Sequence, residues 1–180
     1  MITAFIIGCE IGFWLFVLAG LFSRYILRMK KLGAWLLFCT PVVDLALLIA
    51  TIIDLRSGKE ATFIHGLAAI YIGVSIAFGH RMIQWADQRF AYLFAKGPEP
   101  TKKPKYGAEH ARYERIGWLH HFLAWVVGCV LLLGVIWMVQ DAGKTEALVK
   151  VIRVWSLVLG IDFLISFSYT LFPRKSKETL

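Results

Sequence analysis

The sequence has few of the residues that cross-link a small secreted protein or build a soluble catalytic site. It contains 3 cysteines and 5 prolines among 180 residues. The cysteines all lie inside apolar runs, no CxxC motif occurs and their number is odd, so we expect buried thiols and no disulfide framework. An elbow serine, a phosphate-binding glycine loop, a nucleotide fingerprint and a thiol redox motif are also missing. These absences favour a protein that is not an enzyme, although a membrane-embedded enzyme needs none of these motifs.

Acidic residues are scarce as well: 12 Asp and Glu stand against 20 Lys and Arg, which gives a net charge of +8. The chain is nevertheless 58% hydrophobic, with a mean hydropathy of +0.65. Lys and Arg gather in short blocks between long apolar runs, which is typical of a multi-spanning membrane protein. Because no aromatic-basic recognition module accompanies the charge, we expect the lipid bilayer and anionic headgroups as partners, and no nucleic acid.

Five apolar runs approach or exceed the length of about 20 residues that crosses a hydrocarbon core. They lie near residues 2–22, 32–53, 63–80, 116–139 and 151–172. The first run has no basic segment before it and no small-residue cleavage site after it, so we interpret it as a retained span and not as a signal peptide. The sequence therefore predicts one all-α domain over residues 1–180, a transmembrane bundle of about five spans.

The basic residues predict the orientation of this bundle. Most of the 20 Lys and Arg residues fall between runs one and two, between runs three and four, and in the tail after run five. Positive-inside counting then places the N-terminus outside, and the C-terminus and the 81–115 loop in the cytoplasm.

The 81–115 loop is the only sizeable segment outside the spans. Residues 81–96 form an amphipathic pattern, which fits either an interfacial helix or a third span that continues beyond the membrane. Residues 97–100, Gly-Pro-Glu-Pro, should break this helix, and a second helix should start near Gly107 and continue into span four.

Small residues four positions apart predict two sites of close helix packing. The first is Gly8 with Gly12, and the second is Ala69, Gly73 and Ala77. Such spacing lets helix backbones approach closely in lipid. Packing within one chain is the simpler interpretation, and a homodimer face is the alternative.

Three acids, Glu10, Asp44 and Asp162, lie near the middle of predicted spans one, two and five. An ionised Asp at that depth costs roughly 2.5–3.5 kcal/mol to insert, so we expect these side chains to turn inward and share protons, bind a cation or meet water. Local hydrogen bonding is the alternative, because Thr40 and Ser166 each lie four residues from an acid on the same helix face. The sequence shows no permanently charged counter-ion at this depth.

The histidines raise a second hypothesis. A metal site could use pairs drawn from His80, Asp87, His110, Glu114 and His121, since imidazole and carboxylate are ordinary ligands for zinc. The alternative is a charged interfacial helix whose side chains pair with one another and with headgroups. Two haems are poorly supported, because His65 has no histidine partner on its own side of the membrane, and a single haem would depend on one contact of His80 with His120 or His121. The cofactor therefore stays unknown.

Four segments carry a resemblance to a known family. They are IGCEIGFW at 7–14, TPVVD at 40–44, HGLAAIYIGVS at 65–75 and YGAEHARYE at 106–114. With them the chain resembles small bacterial integral membrane proteins of the YmcC type, over nearly its whole length. The resemblance implies a bacterial plasma-membrane location and assigns no site residues.

Three hypotheses for function remain at this point. The first is a small proton- or cation-linked transporter that uses Glu10, Asp44 and Asp162. The second is an accessory or interaction protein whose basic 81–115 loop docks a partner or anionic lipid. The third is a metal- or haem-dependent membrane enzyme.

Overall fold

The fold is a bundle of five α-helices. The computed structural model describes residues 2–94, 98–100 and 103–174, and it describes side chains for residues 7–9, 11–93, 98–100 and 103–174. Its helices are α1 (Ile2–Tyr25), α2 (Lys30–Arg56), α3 (Phe63–Phe94), α4 (Gly107–Val139) and α5 (Ala142–Leu171). These ranges contain no strand. Several residues behind the predictions lie outside the described ones: Lys96, Lys102, Lys175 and Lys177, which belong to the basic segments of the orientation prediction, and the side chain of Glu10.

Four helices, α1 to α4, are long and apolar enough to cross a membrane. Their outward-facing side chains are large and apolar, for example Trp14, Trp35 and Trp137, which are 61%, 69% and 75% exposed. Such a surface suits lipid and not water. The prediction of an all-α polytopic bundle is therefore confirmed. Crossing by α5, which has 30 residues, and the orientation both stay predictions.

Helices α3 and α4 are longer than a membrane requires. They contain 32 and 33 residues, whereas about 20 residues cross the hydrocarbon core. Helix α3 runs without a break through residues 81–94 of the amphipathic stretch, so this part is a continuation of the third predicted span and not a separate helix. Following the predicted orientation, we call the end where α2 and α4 finish the outer end, and the opposite end the inner end.

The connection from α4 to α5 is tight. Gln140 closes α4 in the left-handed conformation, at φ 55°, and Asp141 then caps α5. The backbone N–H of Lys144 donates to the Asp141 side chain at 3.2 Å and holds the pKa of Asp141 below its usual range. This cap satisfies a backbone donor that the helix itself leaves without an acceptor.

The helices pack closest where glycine removes a side chain. A Cβ on Gly73 of α3 would collide with the carbonyl oxygen of Ala124 on α4, and one on Gly128 would collide with the Trp155 ring of α5. Helices α1 and α2 meet at Gly20 and Gly33, where a Cβ on Gly33 would lie 2.7 Å from the Gly20 carbonyl oxygen. The backbones thus approach closely, as small residues allow in lipid.

One packing prediction needs correction. A Cβ on Gly8 or Gly12 would meet no atom within 4 Å, so this pair packs against no described part of its own chain. The close approach of α1 to α2 through glycine lies instead at Gly20, near the inner end. The homodimer alternative for Gly8 and Gly12 stays a prediction.

The apolar core belongs to the outer half of the bundle and joins four helices. Leu55 of α2, Ala68 of α3, Leu132 of α4 and Leu148 of α5 have no exposed surface. Helix α1 contributes to this core through Cys9. The outer half is therefore the part of the bundle in which side chains are most fully enclosed.

Glycine-dependent packing predicts a position-specific loss of stability. Gly73→Ala should lower the free energy of unfolding by about 1–3 kcal/mol, because the added methyl overpacks the α3–α4 contact. Gly12→Ala, the matched control, should change it little. Thermal unfolding of the purified protein in detergent measures both. Equal losses for the two variants would contradict this account of the packing.

The predicted orientation can be tested with a matched pair of cysteines, after Cys9, Cys39 and Cys129 are replaced by alanine. Glu60→Cys lies in the outer connection and Glu99→Cys in the inner one. A membrane-impermeant maleimide should label the first in intact cells and the second only after permeabilisation. The reverse labelling pattern would invert the orientation.

Candidate functional site

Asp44 lies at the middle of the 27-residue helix α2 and is 2% exposed. Its Oδ2 atom is buried and has no hydrogen-bond partner among the described side chains. Buried carboxylate oxygens are ordinarily satisfied, since an unsatisfied one costs several kcal/mol in a medium without water. The buried oxygen of Asp44 is therefore the starting point for a candidate site.

A proline one turn earlier explains why Asp44 lacks the local partner that the sequence offered. Pro41 has no N–H, so the Leu37 carbonyl loses its helical donor. The Thr40 hydroxyl donates to that Leu37 carbonyl oxygen at 2.8 Å. Thr40 thereby commits its proton to the backbone and does not donate it to Asp44, which excludes the simplest form of local hydrogen bonding at this acid.

Helix α1 supplies further candidate residues for a site at Asp44. Cys9 lies within electrostatic range of Asp44, although it belongs to a different helix. Glu10 follows Cys9 directly in the sequence, but its side chain lies outside the described residues. The backbone therefore brings the first and second predicted acids to neighbouring helices.

Asp162 has a partner that the sequence analysis missed. Its Oδ2 lies 2.6 Å from Nδ1 of His121 on α4. The sequence showed no permanently charged counter-ion at this depth, and it did not predict this contact because it placed His121 at the inner end of span four and Asp162 in the middle of span five. Helix α5 begins earlier than the predicted span, at Ala142, and this places the two residues at one level.

The two described acids lie at different depths. The Arg56 guanidinium donates to the Met138 carbonyl at 2.8 Å, so α2 and α4 end at a similar level. Asp44 lies about 18 Å along α2 from Arg56, and Asp162 about 30 Å along α5 from Ala142. Asp162 is thus the acid closer to the inner end.

Most of the residues predicted as metal ligands contact residues outside that set, and His110 with Glu114 is the described pair within it. Asp87 accepts two bonds from the Arg24 guanidinium of α1, one of them from Nε at 3.0 Å, and His80 lies 2.8 Å from the Gln84 amide. His110 lies 3.8 Å from Glu114. Within the described part of the chain, no three His, Cys, Asp or Glu side chains are grouped to hold a metal. The metal hypothesis stays a sequence prediction without supporting geometry.

A polar cluster at the outer end was not predicted. Asp54 of α2 is 2% exposed and lies 2.8 Å from Nζ of Lys59. Nδ1 of His65 accepts from the Thr62 N–H at 2.9 Å, so Nε2 carries the proton and faces Asp54 at 3.9 Å. The only signal in the sequence was an acid at the end of an apolar run with a lysine five residues later.

A basic cavity of about 460 Å³ lies at the inner end. Its lining includes Lys103 and Lys105 from the connector, His110 and Glu114 from α4, and Arg174 after α5. The Gly107 N–H donates to the Arg174 carbonyl at 2.9 Å and fixes the start of α4 against the end of α5. The sequence predicted a basic inner surface, but it did not predict that residues from these three segments line a common cavity.

These features together define a polytopic helical membrane protein with a buried acid at mid-depth and polar clusters at both ends. Comparison with known proteins assigns it to a family: the chain belongs to the YmcC family. It is 46% identical to "Uncharacterized membrane protein YmcC" of Bacillus subtilis (strain 168) over 175 residues, which cover 97% of this chain and 94% of that protein. No protein-family model matches the chain, and no solved structure matches it.

The Asp54 cluster generates a stability prediction. Asp54→Asn should lower the free energy of unfolding by about 1–3 kcal/mol, because Lys59 loses its carboxylate and a buried polar contact is lost. Glu146→Gln removes the acid of the Glu146–Lys150 ion pair, in which both side chains are more than two-thirds exposed. It should have almost no effect on the free energy of unfolding. Thermal unfolding in detergent compares the two variants. If both are neutral, the cluster contributes nothing to stability.

Proposed function

We propose that this chain is a small multi-pass protein of the bacterial plasma membrane that carries protons or cations through a site centred on Asp44. The observation that carries this proposal is the buried Oδ2 of Asp44, which has no hydrogen-bond partner among the described side chains. Intramembrane carboxylates of this kind commonly serve proton relays and ion pathways.

The energetics favour a transient occupant at Asp44. Leaving an ionised Asp alone near the bilayer centre costs roughly 2.5–3.5 kcal/mol. A proton or a cation removes that cost while it is bound, and its departure restores the cost. A carboxylate fully saturated by protein hydrogen bonds would have less need of an occupant. The open oxygen of Asp44 therefore supports exchange more than a fixed structural role.

The other two predicted acids fit into this proposal at separate positions. Glu10 belongs to α1, next to the cysteine that approaches Asp44, and is the proposed second member of the site. Asp162 with His121 forms a second protonatable pair nearer the inner end, at 2.6 Å. A pathway from Asp44 to this pair would run along α2, α4 and α5.

Flux measurements test the proposal. Proteoliposomes containing Asp44→Asn should lose most of the proton, metal-cation or amine flux that the unchanged protein supports. The matched control is Asp141→Asn, because an asparagine still caps α5 and the charge change is the same. If the triple variant Glu10→Gln, Asp44→Asn and Asp162→Asn keeps its full flux, the proposal fails.

A second candidate function is an accessory protein that contacts anionic headgroups through its basic inner surface. The cavity lined by Lys103 and Lys105 favours it. Lys102, the third lysine of this connector, lies outside the described residues. Reversing the charge of all three lysines should release a co-purifying partner if this function applies, whereas it should leave an Asp44-dependent flux in place.

A further inference from the structure

The inner cavity is partly open, and its charged lining residues are mainly cationic. Lys103, Lys105 and Arg174 carry three positive charges at its wall, and Glu114 carries one negative charge. Two aromatic rings hold the cations in place: Lys103 Nζ lies 5.5 Å from the centre of the Tyr113 ring, and the Arg174 guanidinium 5.3 Å from that of Tyr169. Such contacts orient flexible cationic side chains. The cavity therefore presents a fixed positive surface.

His110 lines this cavity, and one of its two ring nitrogens has no hydrogen-bond partner among the described residues. Its side chain is 9% exposed, and Nδ1 lies 3.1 Å from the Pro104 carbonyl oxygen. A carbonyl can only accept, so Nδ1 carries the hydrogen of this bond. Nε2 is buried and has no hydrogen-bond partner among the described residues. The Tyr169 ring packs edge-on against the imidazole at 4.8 Å and fixes its orientation.

The start of helix α4 adds to the same field. The 33-residue helix begins at Gly107, and its N-cap residue, Tyr106, makes no side-chain cap bond. The N-terminus of a helix carries a partial positive charge and favours anions. His110 belongs to the first turn of this helix and lines the same cavity.

From these features we infer that the cavity binds a phosphate monoester group. A phosphate has three acceptor oxygens and up to two negative charges, which suits several cations placed around one space. Nε2 of His110 can accept a hydrogen bond from a hydroxyl of the phosphate while Nδ1 continues to donate to Pro104. Glu114 lies 3.8 Å from Nδ1.

Two ligands with this same headgroup chemistry distinguish a soluble source from a lipid. Radiolabelled glycerol 3-phosphate, added to the purified full-length protein in detergent, tests the soluble source by equilibrium dialysis. Native mass spectrometry of protein taken from phosphatidic acid nanodiscs tests the lipid, with phosphatidylcholine nanodiscs as the neutral comparison. Saturable binding of either ligand supports the proposal and identifies its source. Failure of both to bind saturably overturns it.

Matched variants locate the site. Lys103→Gln with Lys105→Gln should weaken binding by about ten-fold or more, because it removes two of the three positive charges from the cavity wall. His110→Asn should also weaken it about ten-fold, because the asparagine amide can still donate to Pro104 but supplies no group in place of Nε2. Lys30→Gln with Lys31→Gln removes the same charge from exposed lysines elsewhere on the inner side and should stay within about two-fold.

Equal weakening by the two double-lysine variants would overturn the proposal, because it would indicate attraction to general surface charge. Unchanged binding by the first double variant would do the same. These lysines lie in the connector before α4, so this arm stays informative even if the buried His110→Asn variant fails to fold. The binding measurements use no flux, and so they succeed or fail separately from the transport proposal.

Discussion

The absence of water inside a bilayer constrains every polar group in this protein. Backbone groups meet that constraint by forming helices, whose hydrogen bonds are internal. Pro41 breaks the pattern in α2, and the Thr40 hydroxyl repairs it by donating to the Leu37 carbonyl. The Thr40 hydroxyl is then no longer available to donate to Asp44. The Asp44 Oδ2 atom, in the middle of α2, thus has no hydrogen-bond partner among the described side chains.

Polar contacts elsewhere concentrate toward the ends of the helices. At the outer end, Arg56 donates to the Met138 carbonyl in the last turn of α4, and Asp54 binds Lys59. At the inner end, Arg24 of α1 binds Asp87 of α3. Between these ends α1 meets α2 and α3 meets α4 through small residues, whereas α4 and α5 are also joined by polar contacts: the Trp125 indole donates to the Ser156 hydroxyl at 3.0 Å, and His121 lies 2.6 Å from Asp162. Polar contacts therefore help to fix the relative level of neighbouring helices, and small residues let the backbones approach closely.

This division separates the two candidate sites. Asp44 lies in the apolar middle of α2, where an oxygen without a hydrogen-bond partner among the described side chains has a large energetic effect. The basic cavity lies at the inner end, where several charges can be gathered because water and headgroups are near. The first site suits a small occupant, such as a proton or a cation, whereas the second has the volume and the charge for a larger anion.

The class of the protein could be predicted from the sequence, because apolar runs and blocks of basic residues record the bilayer directly. The helix that begins near Gly107 could also be predicted, and Asp44 could be singled out as an unusual acid, because periodicity and a lone acid in an apolar run are local signals. The pairing of Asp162 with His121, the Asp54 cluster and the enclosure of His110 were not. Each depends on the relative level of two helices, and hydropathy leaves that level uncertain by several residues. Tertiary packing decides it, because one turn of slippage, about 5.4 Å, is enough to separate a hydrogen-bonded pair.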